Sequence, residues 1–287
     1  MKIIKATYGG QDCTAKVESK IKNNKLILRS SNEIIGDTQS GVVKYLEIEL
    51  EYEGVIYKHS IKEGNMLIFP TTTYDKLGIF YSNNDNSKIY PAIKASLDSI
   101  EKAAKNKVDI LTCMWRRELD NPFLELIAWT NTHSHLNQLL QIMQLLYSAR
   151  EMKEYKYVSF LEHDVLYPEG YFDYPDFEQG TIMTNMNYMG INSNGYQPLK
   201  QRDEPFHQMT MRFDDAIKHC EFILANALIK NSGLIEPQNM TRLQWECINP
   251  AIHINHGSHF TSHYSIYGGQ TFENQPYWGD YKNNWPF

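Results

Sequence analysis

Short apolar runs alternate with longer segments of helical periodicity between residues 74 and 162, and this alternation constrains the fold more than any other feature of the chain. The strand-like runs cover 76–84, 108–115 and 157–161, and the helical segments cover 90–106 and 135–152. Successive strand–helix–strand units imply crossover connections and therefore a parallel sheet. The sequence thus predicts an α/β domain over residues 74–287, with a mixed, mainly parallel sheet and helices on both of its faces.

Residues 1–70 show a different pattern, because apolar and polar residues alternate there with a period of two. Strand-like runs cover 25–31, 44–54 and 55–61, and turn signals stand at 23–24, 36–37 and 53–54. This pattern predicts a small all-β domain, followed by a linker at 70–73. The only histidine of this region is His59, and no acids cluster with it. We therefore expect an accessory domain that carries no chemistry.

Composition and missing motifs narrow the classes of function. A formal net charge of −6 argues against a broad nucleic-acid-binding surface, because such surfaces are basic. The four cysteines form no close pair, so we expect neither a CxxC zinc site nor a disulfide framework, and a reducing, cytoplasmic setting fits best. We expect no signal peptide and no membrane span. The motifs GxGxxG, GxxxxGK(S/T) and GxSxG are absent from the sequence, which disfavours dinucleotide-dependent dehydrogenases, P-loop enzymes and α/β-hydrolases.

Polar residues follow the predicted strands at the edge where α/β sheets bind ligands. The first strand ends in Tyr81, Ser82 and Asn83, Arg116 follows the second, and Glu162, His163 and Asp164 end the third. We expect residues 76–84 to bind a nucleotide base or ribose. In this hypothesis Tyr81 stacks on the base and Asn83 contacts its polar edge.

The two acids of the third strand end are the strongest metal candidates. Glu162 and Asp164 are two residues apart, so they point the same way if the strand continues. An uncompensated buried carboxylate costs about 3–5 kcal/mol, so a cation, a basic partner or water must compensate them. Two carboxylates facing one point suit Mg²⁺ or Mn²⁺. The alternative is an exposed turn without a ligand.

Histidines cluster near the end of the chain. Four of the ten histidines are His253, His256, His259 and His263. Proline, glycine and small polar residues around them argue against a helix, so we predict a strand or extended loop. We expect His253, in the apolar run 251–254, to be structural and His256 to lie within reach of a metal or a diphosphate. A three-histidine zinc site, phosphate-binding histidines and a surface cluster are the alternatives.

Two further segments carry candidate residues. Residues 183–198, which include Asn187, are rich in Asn, Gly and Tyr, a composition that suits sugar binding and turns equally. An apolar helix follows Asp214 and Asp215, which favours a core helix with an acidic first turn. The residues just before it, 208–212, are candidates for lining a pocket.

Taken together, these segments resemble glycosyltransferases of the GT-A type and, more narrowly, a group of bacterial and phage proteins. The resemblance rests on EHDVLYPEGYF, TNMNYMG, HQMTMRFDDAIKHC and IHINHGSHF, and it spans residues 74 to about 265. It implies a GT-A-like, Rossmann-like fold and a cytoplasmic location, in the host cell if a phage encodes the protein. It also implies a metal site with Asp164 as the main acid, Glu162 as the first acid of the motif and His256 as a late ligand.

The resemblance implies metal-dependent transfer of a sugar from a nucleotide-sugar, with a UDP-sugar favoured and Mn²⁺ or Mg²⁺ as cofactor. The acceptor stays open among a glycan, a lipid, a protein and a hydroxylated DNA base. An inverting reaction needs a carboxylate base, and the candidates are Asp203, Glu204, Asp214 and Asp215. The donor-binding residues that we predict are Tyr81, Ser82, Asn83, Arg116, His163, Asn187, His259 and His263. The alternatives are a non-catalytic glycan- or protein-binding module on a degenerate transferase fold, and a zinc hydrolase built on the histidine cluster.

Overall fold

The computed structural model describes residues 1–22, 24–70, 74–84, 86–105, 107–114, 121–127, 134–198, 206–230, 240–255 and 271–286. The chain forms two compact units, Met1–Thr73 with Ser148–Lys153 and Tyr74–Tyr147 with Glu154–Phe287. Within the described ranges, no helix combines the length and the apolar character that crossing a membrane requires. The four cysteines are buried free thiols.

The first unit consists mainly of two antiparallel sheets. Its elements are β1 (Lys2–Tyr8), β2 (Gln11–Asp12), α1 (Thr14–Glu18), β3 (Ile21–Lys22), β4 (Lys25–Arg29), β5 (Tyr45–Tyr52), β6 (Val55–Lys62) and β7 (Met66–Phe69). The sheets have the orders β2-β1-β5-β6 and β3-β4-β7. The hairpin between β5 and β6 turns at Glu53 and Gly54, both with positive φ, as tight hairpin turns require. The predicted runs 25–31, 44–54 and 55–61 correspond to β4, β5 and β6, whereas the other strands and the five-residue helix α1 were not predicted individually.

The second unit is built on a seven-stranded sheet. Its elements are β8 (Lys76–Ser82), α2 (Tyr90–Ala104), β9 (Asp109–Met114), β10 (Leu124–Ile127), α3 (His135–Met152), β11 (Tyr157–Glu162), β12 (Val165–Leu166), β13 (Thr181–Asn185), β14 (Tyr188–Asn192), β15 (Gly195–Pro198), β16 (Met209–Arg212), α4 (Phe213–Lys230), β17 (Thr241–Trp245), β18 (Ala251–Ile254), β19 (Asn274–Gln275) and β20 (Gly279–Asp280). The last residues of α3, from Ser148, belong to the first unit. The main sheet has the order β10-β9-β8-β11-β16-β13-β17. β16 is reversed and the other six strands run in one direction. The predicted class, a mixed and mainly parallel α/β sheet, is confirmed.

Helical periodicity explains how α2 packs on this sheet. Its Leu97 and Ile100 are buried in one cluster with Phe80 of β8 and Leu161 of β11. Burying each side chain of this size contributes about 1.5–3 kcal/mol. The helix starts with Pro91 in its first turn, where a missing N–H breaks no helical hydrogen bond. These contacts fix the two central parallel strands against the helix that connects β8 to β9.

The direction of strand addition changes at β8. The chain runs from β8 through α2 to β9 on one side, and β11, which follows α3, pairs with β8 on the other side. Such a switch opens a crevice outside the carboxyl ends of the two strands, where α/β sheets bind ligands. Glu162 stands opposite Tyr81 at these ends.

A second, four-stranded sheet with the order β12-β18-β14-β15 follows directly from the end of β11. One face of β18 carries Ile252 and Ile254, which pack with Ala92 of α2 and with Trp278. Side chains alternate along a strand, so His253 lies on the opposite face. This arrangement brings a histidine from the distant end of the chain to the turn that follows β11.

Candidate active site

The carboxylate of Glu162 is held by three side chains from three different elements. The Tyr81 hydroxyl of β8 and Nε2 of Gln138 in α3 both donate to Glu162 Oε1 at 3.1 Å. Nδ1 of His207, just before β16, lies 3.2 Å from Oε2. His207 reaches this carboxylate because β16 is reversed, so that its first residues lie at the carboxyl end of β11.

A second carboxylate–imidazole pair lies beside the first. Asp164 Oδ2 is 3.2 Å from Nε2 of His253, and both side chains are buried. The Ile254 N–H donates to the Asp164 carbonyl at 2.7 Å, which fixes β18 against the turn. The rings of His207 and His253 stack with centroids 5.3 Å apart and planes 18° from parallel. Glu162, His207, His253 and Asp164 thus form a continuous cluster, which we call the acid–imidazole row.

The electrostatics of the row favour the ionised forms of Glu162 and His253. Burial by itself raises the pKa of Glu162, but the hydrogen bond and charge of His207 bring the pKa below its usual value. Burial lowers the pKa of His253, but the charge and hydrogen bond of Asp164 raise it above its usual value. Both carboxylates therefore stabilise the His253 imidazolium, whereas the charge of Asp164 by itself opposes the ionised form of Glu162.

These shifts predict how stability depends on pH. Because the pKa of His253 is raised in the folded state, its stabilisation is present below the unfolded value of 6.5 and is lost as the pH rises through the folded pKa. We expect the free energy of unfolding to fall as the pH rises above 6.5, and His253→Gln to remove this fall. All five tryptophans belong to the second unit, so fluorescence during urea unfolding follows that unit alone.

His219 of α4 provides a control of opposite sign. Burial, with a smaller contribution from the charge of Arg242, lowers the pKa of His219 to about 4. Its stabilisation is therefore lost as the pH falls from 6.5 towards 4. His219→Gln should leave the fall above pH 6.5 unchanged. An alkaline fall that is the same in His253→Gln as in the original chain would contradict the assignment.

The predicted donor residues of β8 lie at the crevice, but they are more buried than expected. Tyr81 is fully buried and its hydroxyl is bound to Glu162, which contradicts the predicted stacking of its ring on a base. Ser82 is buried and its carbonyl accepts from Gln141. Nδ2 of Asn83 donates to the Ser134 carbonyl at 2.7 Å, at the start of α3. These buried residues therefore form part of the protein framework under the crevice, through hydrogen bonds to Glu162 and to α3 and the residue before it.

Two other predicted donor residues lie in turns. The carbonyl of His163, between the two acids, accepts from Ser96 of α2 at 2.9 Å. Asn187 lies between β13 and β14, where its N–H donates to Asn185 Oδ1 and its Nδ2 donates to the Cys247 carbonyl. These hydrogen bonds show Asn187 stabilising the turn between β13 and β14.

The structure separates Asp214 and Asp215 from the acid–imidazole row. β16 is antiparallel to β11, so α4, which follows β16 directly, begins beside Tyr157 at the amino end of β11. The five-residue step from there to Glu162 spans about 16 Å. Asp214 is exposed, and Asp215 accepts a hydrogen bond from the Gly180 N–H at 2.6 Å. This geometry contradicts their predicted role as catalytic bases.

Several predicted site residues lie outside the described part of the chain, namely Asp203, Glu204, Arg116, His256, His259 and His263. The sequence interpretation missed His207 and Gln138 and gave His253 only a structural role. A signal for His207 exists in the stretch HQMTMR, where a histidine and a glutamine precede an alternating run. The partner of His253 had no local signal, because Asp164 is distant in sequence.

The donor set fits a metal ion only in part. No three histidine, cysteine, aspartate or glutamate side chains of the described ranges are arranged to hold a metal. Asp164 offers a carboxylate oxygen, a donor type that Mn²⁺ accepts, whereas His253 as an imidazolium has no nitrogen lone pair for a metal. Glu162 does not fit the predicted role of a ligand, because its oxygens already accept three hydrogen bonds. Asp164 thus fits as one ligand of a site that the described residues do not complete.

Neither a protein-family model nor a curated protein sequence matches this chain. Among solved structures, it is similar to a glycosyltransferase involved in glycosylation of the major capsid of PBCV-1, with 7% identity and a TM-score of 0.38, over 62% of this chain and 91% of that one. It is similar to the galactosyltransferase LgtC in complex with donor and acceptor sugar analogues, with 10% identity and a TM-score of 0.37, over 67% and 92%. It is also similar to a candidate nucleotide-diphospho-sugar transferase from Desulfovibrio desulfuricans G20, with 10% identity and a TM-score of 0.35, over 62% of this chain and 84% of that one.

Proposed function

We propose that this protein is a nucleotide-sugar-dependent glycosyltransferase whose active site contains the acid–imidazole row. The observation that carries the proposal is the row itself, two carboxylates and two imidazoles gathered where β8 and β11 end. Maintaining charges away from water is costly, and perturbed titratable groups of this kind concentrate at functional sites. The resemblance of the EHDVLY segment to GT-A glycosyltransferases supports the same assignment.

The chemistry of sugar transfer matches the charges of the row. Cleavage of the bond between the sugar and the diphosphate makes negative charge grow on the leaving phosphate. When bound, a Mn²⁺ or Mg²⁺ ion supplies charge neutralisation for that phosphate, and in this proposal Asp164 is one of its ligands. His253 contributes positive charge beside Asp164. Glu162 accepts from His207 Nδ1 and so fixes the orientation of that ring.

A UDP-sugar is the favoured donor in this proposal, and the acceptor is a glycan, a lipid, a protein or a hydroxylated DNA base. Among these, DNA fits least well with a net charge of −6. All four members of the row belong to the second unit. The first unit is therefore proposed as an accessory domain that raises the local concentration of the acceptor.

A panel of UDP-, GDP-, CMP- and ADP-sugars with Mn²⁺ tests the function. We expect one donor to raise the melting temperature and to be hydrolysed slowly to free sugar. A ligand at a hundredfold excess over Kd stabilises the native state by about 2.7 kcal/mol, which a thermal-shift measurement detects. Mn²⁺ alone and the matching nucleoside monophosphate are the controls.

The other outcomes of this panel point to other functions. Stabilisation by a donor without release of sugar would favour a non-catalytic binding module. If none of the donors raises the melting temperature, the proposal is contradicted. Stoichiometric, tightly bound zinc in the purified protein, measured by elemental analysis, would instead favour a hydrolase.

A further inference from the structure

The turn between β11 and β12 is held by α2 at two points. Ser96 Oγ donates to the His163 carbonyl at 2.9 Å, and Ser99 Oγ accepts the Tyr167 N–H at 3.0 Å. Ser99 Oγ in turn donates to the Ser96 carbonyl at 2.7 Å. Both serines are buried. The helix therefore fixes the turn that carries Asp164 on both sides of this residue.

Tyr167, the last residue of the EHDVLY segment, holds the same turn through its side chain. Its hydroxyl accepts the Glu162 N–H at 2.9 Å and donates to the His207 carbonyl at 3.4 Å. The side chains of Glu162 and His207 are themselves paired at 3.2 Å. A single hydroxyl thus links the backbones of the two residues whose side chains form half of the acid–imidazole row.

The tyrosine hydroxyl is separable from the packing of the ring. The ring of Tyr167 lies in a T-shaped contact with Tyr171, with centroids 4.7 Å apart, and phenylalanine would keep this contact. Burying a hydroxyl is costly unless hydrogen bonds compensate it, and here both partners are backbone groups of the row. The hydroxyl of Tyr171 also donates to the His207 carbonyl, at 3.1 Å. Two tyrosine hydroxyls therefore fix the backbone of His207. Of these two hydroxyls, that of Tyr167 also accepts the backbone N–H of Glu162.

We infer that Tyr167 is a positioning residue, whose hydroxyl sets the geometry of the Glu162–His207 pair. The kinetic part of this inference rests on the proposed function. Small displacements of groups that act on a substrate have large effects, and a shift of about 1 Å can cost a hundredfold in rate. Removal of the hydroxyl is therefore expected to act on the rate of the reaction more than on donor binding.

Tyr167→Phe tests the inference against the matched variant Tyr157→Phe. The Tyr157 hydroxyl also bridges two backbone groups, because it accepts the Phe177 N–H at 3.2 Å and donates to the Phe177 carbonyl at 3.5 Å. It does so at the opposite end of β11. We expect similar decreases in melting temperature for the two variants. Only Tyr167→Phe should lower kcat for donor hydrolysis, by roughly tenfold or more, with the donor KM nearly unchanged.

A measurement independent of catalysis separates this inference from the proposed function. The ring resonances of His207, assigned by their loss in His207→Gln, should move in Tyr167→Phe and stay in place in Tyr157→Phe. If the original chain hydrolyses no donor, the proposed function fails and these resonances decide the inference. Equal losses of kcat in the two variants, or unmoved resonances in Tyr167→Phe, would overturn it. Should Tyr167→Phe not fold, Ser99→Ala loosens the same turn and should move the same resonances.

Discussion

Replacing Asp164 with asparagine is expected to abolish Mn²⁺-dependent donor hydrolysis while the protein stays folded. The amide has the shape of the carboxylate but no negative charge, so the chain loses a metal ligand and the anionic partner of His253 at 3.2 Å. We expect kcat/KM to fall by about a thousandfold, which corresponds to about 4 kcal/mol of transition-state stabilisation. Steady-state hydrolysis and calorimetric binding of Mn²⁺ with donor measure the two losses separately.

Asp173→Asn is the matched control for this substitution. Asp173 is exposed and forms a surface ion pair with Lys107 at 2.8 Å, and pairs of this type contribute about 0–1 kcal/mol. Its kcat/KM should equal that of the original chain. Full activity in Asp164→Asn would contradict the assignment of Asp164 to the active site. A loss of activity with unchanged Mn²⁺ affinity would keep Asp164 in the active site but remove it from the metal.

The location of the site was predictable because local periodicity determines the elements that build it. The helices predicted over 90–106 and 135–152 are Tyr90–Ala104 and His135–Met152, and the strand predicted over 76–84 is Lys76–Ser82. Strands of a parallel sheet are buried on both faces and therefore appear as continuous apolar runs. Once these elements alternate, their carboxyl ends must share one edge, and this placed Glu162 and Asp164 at the crevice.

The partners of these acids could not be derived in the same way. β16 is a four-residue strand, and its sequence does not state whether it joins the sheet parallel or antiparallel to β11. The reversal brings His207 to Glu162 and carries Asp214 and Asp215 to the opposite edge. Which residues meet across a sheet depends on strand order and direction, whereas periodicity shows only the face on which a side chain lies.

Replacing Glu162 with alanine is expected to destabilise the second unit by about 3–5 kcal/mol, because each buried donor left without its acceptor costs about 1–3 kcal/mol. The substitution leaves the donors of Tyr81, Gln138 and His207 without their acceptor. Tyr81 and His207 are almost completely buried, so each of their donors loses its partner at a position with little access to water. Urea unfolding followed by tryptophan fluorescence measures the loss in this unit alone, since all five tryptophans belong to it.

Glu162→Gln separates the charge of this residue from its shape. The amide oxygen can still accept from Tyr81, but the amide nitrogen meets the Nδ1 donor of His207, so we expect a loss of about 1–3 kcal/mol. In a double-mutant cycle with Tyr81→Phe, the coupling should be about 1 kcal/mol. Glu178→Ala, at an exposed position, should change the free energy of unfolding by no more than about 0.5 kcal/mol.

Because Glu162 orients His207 in this scheme and does not bind the metal, Glu162→Gln should keep the Mn²⁺ affinity that Asp164→Asn loses. Equal losses of Mn²⁺ affinity in these two variants would return Glu162 to the metal site, as the sequence first suggested.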